Sequence, residues 1–106
     1  MGATKSVLGN EVILDATVIQ HILKRHPELK KLQNLEEAIL LAVASPDFVF
    51  SGRYGENIAA RKVKTGAFRG KWIVVPYDEG GGIKTAFIIS NVEKIKRRRV
   101  MLWKPK

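Results

Sequence analysis

Apolar positions recur at helical spacing over residues 16–44, and from residue 48 the period changes to two. Val18, Ile19, Ile22 and Leu23 fall within one arc of roughly 140° at 100° per residue, with Gln20 and Lys24 opposite. Asp15, before Ala16-Thr17-Val18, is a good N-cap, because its carboxylate can accept from the free amides of a first turn. The spacing therefore predicts a helix from Asp15 to about Arg25. A second helix is predicted from Asn34, as N-cap, to about Ala44, with Leu35, Ala38, Ile39 and Ala42 forming its stripe. Glu37 stands three residues after Asn34, a capping-box arrangement with Asn in place of Ser or Thr. Ser45-Pro46-Asp47 closes it.

The rest reads as strands. Glu11 to Leu14 is a short one ahead of the helices, and residues 1–10 read as a loose start. Phe48-Val49-Phe50 is followed by a turn at Gly52-Arg53-Tyr54-Gly55 and a strand over residues 57–64. Lys71 to Tyr77 is the strongest strand, β-branched and apolar on both faces, and is expected to be central. Pro76 would cost it a ladder bond unless it sits at an edge or bulge. Asp78 to Gly82 is a hairpin turn, and Ile83 to Ser90 the return strand, with Ile83, Thr85, Phe87 and Ile89 on one face. Asn91 to Lys96 reads as a helical turn, Arg97-Arg98-Arg99 as a basic run, and Val100 to Trp103 as a last strand or packed tail. The predicted fold is α+β: two N-terminal helices packed on one face of a small antiparallel sheet, a meander of three to four strands.

Length sets the scale of this reading. The chain of 106 residues fits a single domain (1–106), with residues 97–106 as a basic C-terminal segment. Lys and Arg outnumber Asp and Glu by 19 to 10, a net charge of +9, which attracts polyanions, nucleic acid being the common case. The absence of cysteine excludes disulfides, iron–sulfur clusters and Cys-type zinc sites. No apolar run approaches the roughly 20 residues of a membrane span. Residues 1–10 lack the apolar core of a signal peptide, so a cytoplasmic protein is expected.

Candidate chemistry starts at His21-Ile22-Leu23-Lys24-Arg25-His26-Pro27-Glu28, which holds both histidines of the chain. Two imidazoles can supply acid and base at neutral pH. His21 and Arg25 share a helix flank at the rim between core and water. His26 points into the apolar arc or, because Pro27 disfavours helical geometry before it, turns away at the helix end. Histidines five apart, with no Cys or carboxylate set to complete a sphere, give little support for a metal, and no cofactor is implied. Arg25 suits an anion site, since a guanidinium can hold two phosphate oxygens. Arg61 and Lys62, adjacent on a strand, point to opposite faces, so one of them faces the helices or the cleft beside them. Thr85 interrupts an apolar row, and a buried hydroxyl needs a partner. Tyr54, Tyr77, Trp72 and Phe68 could stack on bases or fill the core. Arg53 and Tyr54 in the turn, with Arg97 and Arg98, are candidate substrate contacts. Each of these residues also has a plain reading: packed histidines, solvated arginines and a strand-forming threonine.

The order of these segments resembles the phage-associated members of the barnase–EndoU–colicin–RelE superfamily of nucleases. The likeness runs from about Asp15 to Ser90 and is most specific at Arg-His-Pro-Glu (25–28) and Lys-Thr-Ala-Phe (84–87). It implies a barnase- and RelE-like fold and metal-independent RNA cleavage through the ribose 2′-OH. His21 and His26 match the family's histidines, Arg25 its arginine, Arg61 or Lys62 its basic strand position, and Thr85 the threonine of the closing strand. Phe87 replaces a frequent tyrosine. On this reading His21 is the principal acid–base group and His26 the second. By analogy alone, the protein would be the toxin of a toxin–antitoxin pair, with RNA as substrate and a protein antitoxin as partner. The rival readings are a non-catalytic basic RNA-binding module and a DNA-binding or interaction domain with structural histidines. A nuclease needs His21, Arg25, a strand cation and Thr85 around one phosphate-sized site; a binding module needs only a stripe of charge and exposed rings.

Overall fold

The computed structural model describes residues 2–106. In chain order the elements are β1 (Gly2–Lys5), β2 (Glu11–Leu14), α1 (Ala16–Arg25), a 3-10 helix (Pro27–Lys31), α2 (Leu35–Ala44), β3 (Phe48–Ser51), β4 (Asn57–Lys62), β5 (Trp72–Tyr77), β6 (Phe87–Ile89), α3 (Glu93–Arg98) and β7 (Met101–Trp103). β1 and β2 form a two-stranded sheet, and the other strands form a five-stranded antiparallel sheet in the order β6-β5-β4-β3-β7.

This overturns the expected architecture of two N-terminal helices on a three- to four-stranded meander. The fold is α+β, but strands dominate, a hairpin precedes the helices, and a third helix packs on the far side of the sheet. Two local causes account for the difference. The first ten residues, read as loose, pair Gly2–Lys5 with Glu11–Leu14, which turns Val12 and Leu14 into the core and leaves Glu11 and Ile13 outside. At the other end the chain returns from α3 as β7, which covers the edge of β3 that a meander would leave unpaired.

The helix caps follow from sequence. Asp15 accepts from the Thr17 amide and hydroxyl, both at 2.9 Å, and these bonds hold its carboxyl below the usual aspartate value. Asn34 accepts from the Glu37 amide at 3.2 Å while its side-chain NH₂ donates to the Glu37 carboxylate at 3.1 Å. α1 and α2 bring Ile22, Ile39, Ala42 and Val43 onto Ala59, Ile73 and Val75 of the sheet. On the opposite face Val92 and Ile95, flanking and on α3, pack with Phe50, Ala60, Val74, Phe48, Trp72 and Phe87. β5 thus has apolar neighbours on both faces, as its sequence predicts, although β4 and not β5 is the middle strand. Pro76 costs the ladder nothing. Its carbonyl accepts from Lys84 at 2.9 Å, so its missing N–H points the same way, past the end of β6, which pairs only with Trp72–Val74.

The return strand is shorter than predicted. Residues 84–86 leave the ladder, and the alternation slips there: Ile83 joins Ala86 in the first core while Phe87 and Ile89 join the second. The single row of Ile83, Thr85, Phe87 and Ile89 therefore does not exist.

The N-terminal hairpin is tied to the β5–β6 turn. Ile13 donates to Gly81 and accepts from Ile83, both at 2.9 Å. Below this seam Glu79 accepts from the Ser6 hydroxyl and from Asn57 Nδ2 at 3.1 Å.

Candidate active site

α1 ends where the histidine segment requires it to. His26 caps the helix, its amide donating to the Ile22 carbonyl at 2.7 Å, and Pro27 opens the 3-10 helix in which the amide-less ring is harmless. This ending, with His26 at φ −130°, takes the His26 ring out of the helical stripe and against Phe87, with ring centroids 6.0 Å apart and planes inclined by 37°. Phe87 lies on edge strand β6 and belongs to the second core, whereas α1 packs in the first. The contact therefore wraps the open edge of the sheet. It brings together the histidine of residues 25–28 and the phenylalanine of residues 84–87, two segments that are far apart in sequence.

His26 is half-buried, and its Nδ1 lies 3.7 Å from Glu28 Oε2. That is too long for a hydrogen bond but close enough for attraction when the ring is protonated. His21 and Arg25 stand one helical turn apart and are both exposed. Thr85 is half-buried just before β6. The ring and the arginine offer a proton-transfer group and an anion-binding fork at one end of a helix. Glu28 was not assigned a role by sequence. The available signal was its place two residues after His26, across a proline that fixes the turn.

The strand cations lie elsewhere. Arg61 donates to the Ser45 carbonyl at the end of α2, and Lys62, whose amide donates to Asp47 Oδ2 at 2.8 Å, follows it on β4. Arg61 pairs in register with Ile73 of the first core, so it is the residue on the helix side; Lys62 pairs with Trp72 of the second. Both line a cleft of about 790 Å³ beside α2 that includes neither histidine, Arg25 nor Thr85. The gathering of His21, Arg25, a strand cation and Thr85 around one cleft is thus not found there.

Arg53 and Tyr54 are exposed at the β3–β4 turn, Tyr54 at 78%, with the Tyr54 amide donating to Glu56 Oε1 at 2.8 Å. That bond holds the Glu56 carboxyl below its usual value. The turn is at the opposite end of β4 from Lys62. Arg97 and Arg98 are exposed in the last turn of α3. Of the aromatics, Phe68 and Tyr77 are core, which removes them as stacking surfaces. Trp72 is half-buried and stacked on Phe48 at 5.8 Å, with Lys96 Nζ 4.4 Å above the Phe48 ring.

Among the described residues no group of three or more His, Cys, Asp or Glu is arranged to hold a metal ion, and no helix is long and apolar enough to cross a membrane. No protein-family model, no curated protein and no solved structure matches this chain.

Proposed function

We propose that this protein is a cytoplasmic, metal-independent endoribonuclease whose acid–base groups lie where the end of α1 meets β6. The observation that carries the reading is the His26–Phe87 contact. The two segments on which the likeness to phage-associated nucleases is most specific are neighbours in space. The reading rests on this site and not on fold, since one fold hosts many chemistries.

The reaction is an in-line transesterification. The ribose 2′-oxygen loses its proton to a base and bonds to phosphorus, the bond from phosphorus to the 5′-oxygen breaks, and an acid protonates that leaving oxygen. The products are a 2′,3′-cyclic phosphate and a 5′-hydroxyl. We take His26, packed against the edge strand, as the principal acid–base group and His21, on the exposed flank of α1, as the second, the reverse of the order the resemblance implies. Each would contribute roughly 10²–10⁴-fold. Arg25, exposed at the end of α1 and one turn from His21, would stabilise charge on the phosphorane. The excess positive charge draws the RNA in. If the protein is a toxin, its neutralising partner is a protein antitoxin.

One observation counts against the nuclease and so favours the rival reading of a non-catalytic RNA-binding module: the strand cations Arg61 and Lys62, expected around one phosphate with His21, Arg25 and Thr85, lie apart from both histidines. Incubation of RNA with the protein separates the two. Cyclic-phosphate ends that disappear in His26→Ala support the nuclease; RNA that is retained but never cut supports the module.

A further inference from the structure

The cleft beside α2 has a composition of its own. Its walls carry Lys31, Arg61, Lys62 and Lys64. Among the described residues no carboxylate lies within ion-pairing distance of any of the four. The single carboxylate lining it is Glu37, already engaged by the Asn34 side chain at 3.1 Å. Between the charges the lining mixes the polar Gln33, Asn34 and Thr65 with aliphatic side chains, among them Leu32, Val63 and Leu41, which is 44% exposed.

We propose that this cleft is a docking site for an acidic, amphipathic peptide segment of a protein partner, its carboxylates on the lysines and Arg61 and its aliphatic side chains on Leu41 and its neighbours. Charge complementarity sets the sign of the partner. The aliphatic lining sets its class. Single-stranded nucleic acid is held by cations interleaved with aromatic rings on which bases stack, and among the described residues no aromatic side chain lines this cleft. Leu41 and the aliphatic side chains beside it match the apolar face of a helix laid in a groove. The site is independent of the histidine end of α1 and stands whether or not the protein cuts RNA.

The test uses the full chain and a fluorescein-labelled helical peptide of roughly four turns, Glu on one face and Leu on the other. The same peptide with Gln for Glu, and an oligouridine, serve as comparisons. The acidic peptide is expected to bind and to shift amide resonances of residues 31–41 and 61–67. The double charge reversal Lys31→Glu, Lys64→Glu, and separately Leu41→Asp, should weaken it by about tenfold or more while oligouridine binding changes by less than about threefold. All three positions are exposed, and unchanged circular dichroism confirms folding. The proposal is overturned by equal binding of the Gln peptide, by no loss in either variant, or by resonance shifts elsewhere. Oligouridine binding that falls with the peptide's would overturn it too, and would make the cleft a nucleic-acid groove. Cleavage of RNA by the same variants is read separately, so the nuclease reading can fail without touching this result.

Discussion

Tyr77 makes a test of the packing account in which even the sign of the effect is informative. It sits at the end of β5, wholly buried, and among the described residues its hydroxyl has no hydrogen-bond partner. Its register partner Asn57 donates its side-chain NH₂ to Glu79, which also accepts from Ser6, so these polar groups are the ones nearest the hydroxyl. Burial, with Glu79 nearby adding to it and Asn57 opposing, pushes the phenol up from 10.0 to about 12. An unsatisfied buried donor costs roughly 1–3 kcal/mol. Tyr77→Phe keeps the ring and removes that donor. The variant should therefore be as stable as the wild type at neutral pH or more stable by about 1 kcal/mol. The alkaline behaviour follows from linkage. The folded-state value lies above the unfolded one, so the folded protein keeps this proton longer. The resulting stability is complete below about pH 10 and is lost as pH rises through about 12, amounting to roughly 3 kcal/mol at about 1.4 kcal/mol per tenfold. Urea unfolding followed by circular dichroism, at about pH 7 and about pH 11, measures both effects; lysines also titrate in that range, so the difference between the two proteins is the quantity read. A loss of more than about 1 kcal/mol in Tyr77→Phe near pH 7 would mean that the hydroxyl is bonded to Asn57 or Glu79, and the account of this corner would be wrong.

Other expectations rest on the same geometry. Asn34→Ala removes the cap of α2 and should cost about 1 kcal/mol in the urea midpoint at unchanged slope, with Asn34→Asp largely restoring it. Phe50→Ala empties the centre of the second core and should cost roughly 3–5 kcal/mol; a loss below about 1 kcal/mol would show that α3 does not hold that face closed. Phe87→Ala removes the ring against which His26 rests. If Phe87 positions the histidine, cleavage should fall by about tenfold with binding of RNA unchanged, and Phe87→Tyr should retain activity.

Local features were legible in the sequence because local chemistry decides them. Asp15 and Asn34 announce helix starts, Ser45-Pro46 a stop, and the run Trp72 to Tyr77 a strand with two buried faces. What was not legible depends on partners distant in the chain. Val12 and Leu14 become core only when Gly2–Lys5 pairs with them, and the choice between a last strand and a packed tail at the C-terminal end is decided by the edge that β3 presents to Met101–Trp103. The third helix is short and carries Lys and Arg on most positions; Val92 and Ile95 alone reveal its buried side. At the candidate site the caps and the proline put His26 at a helix end, but its contact with Phe87 required the sheet. The opposite orientation of Arg61 and Lys62 follows from alternation, whereas the choice of Arg61 for the helix side followed only from the register with Ile73. Thr85 was misplaced because residues 84–86 leave the ladder and shift the alternation by one.

The central claim is that the histidine end of α1 cuts RNA. The most direct measurement is digestion of a mixed RNA by the purified protein in excess chelator, beside His26→Ala and His21→Ala. The account predicts chelator-resistant cleavage that leaves 2′,3′-cyclic phosphate ends and falls roughly 10²-fold or more in His26→Ala, with His21→Ala less affected. Cleavage within a few-fold of wild type in a folded His26→Ala protein, or RNA bound and left intact by the wild type, would contradict it.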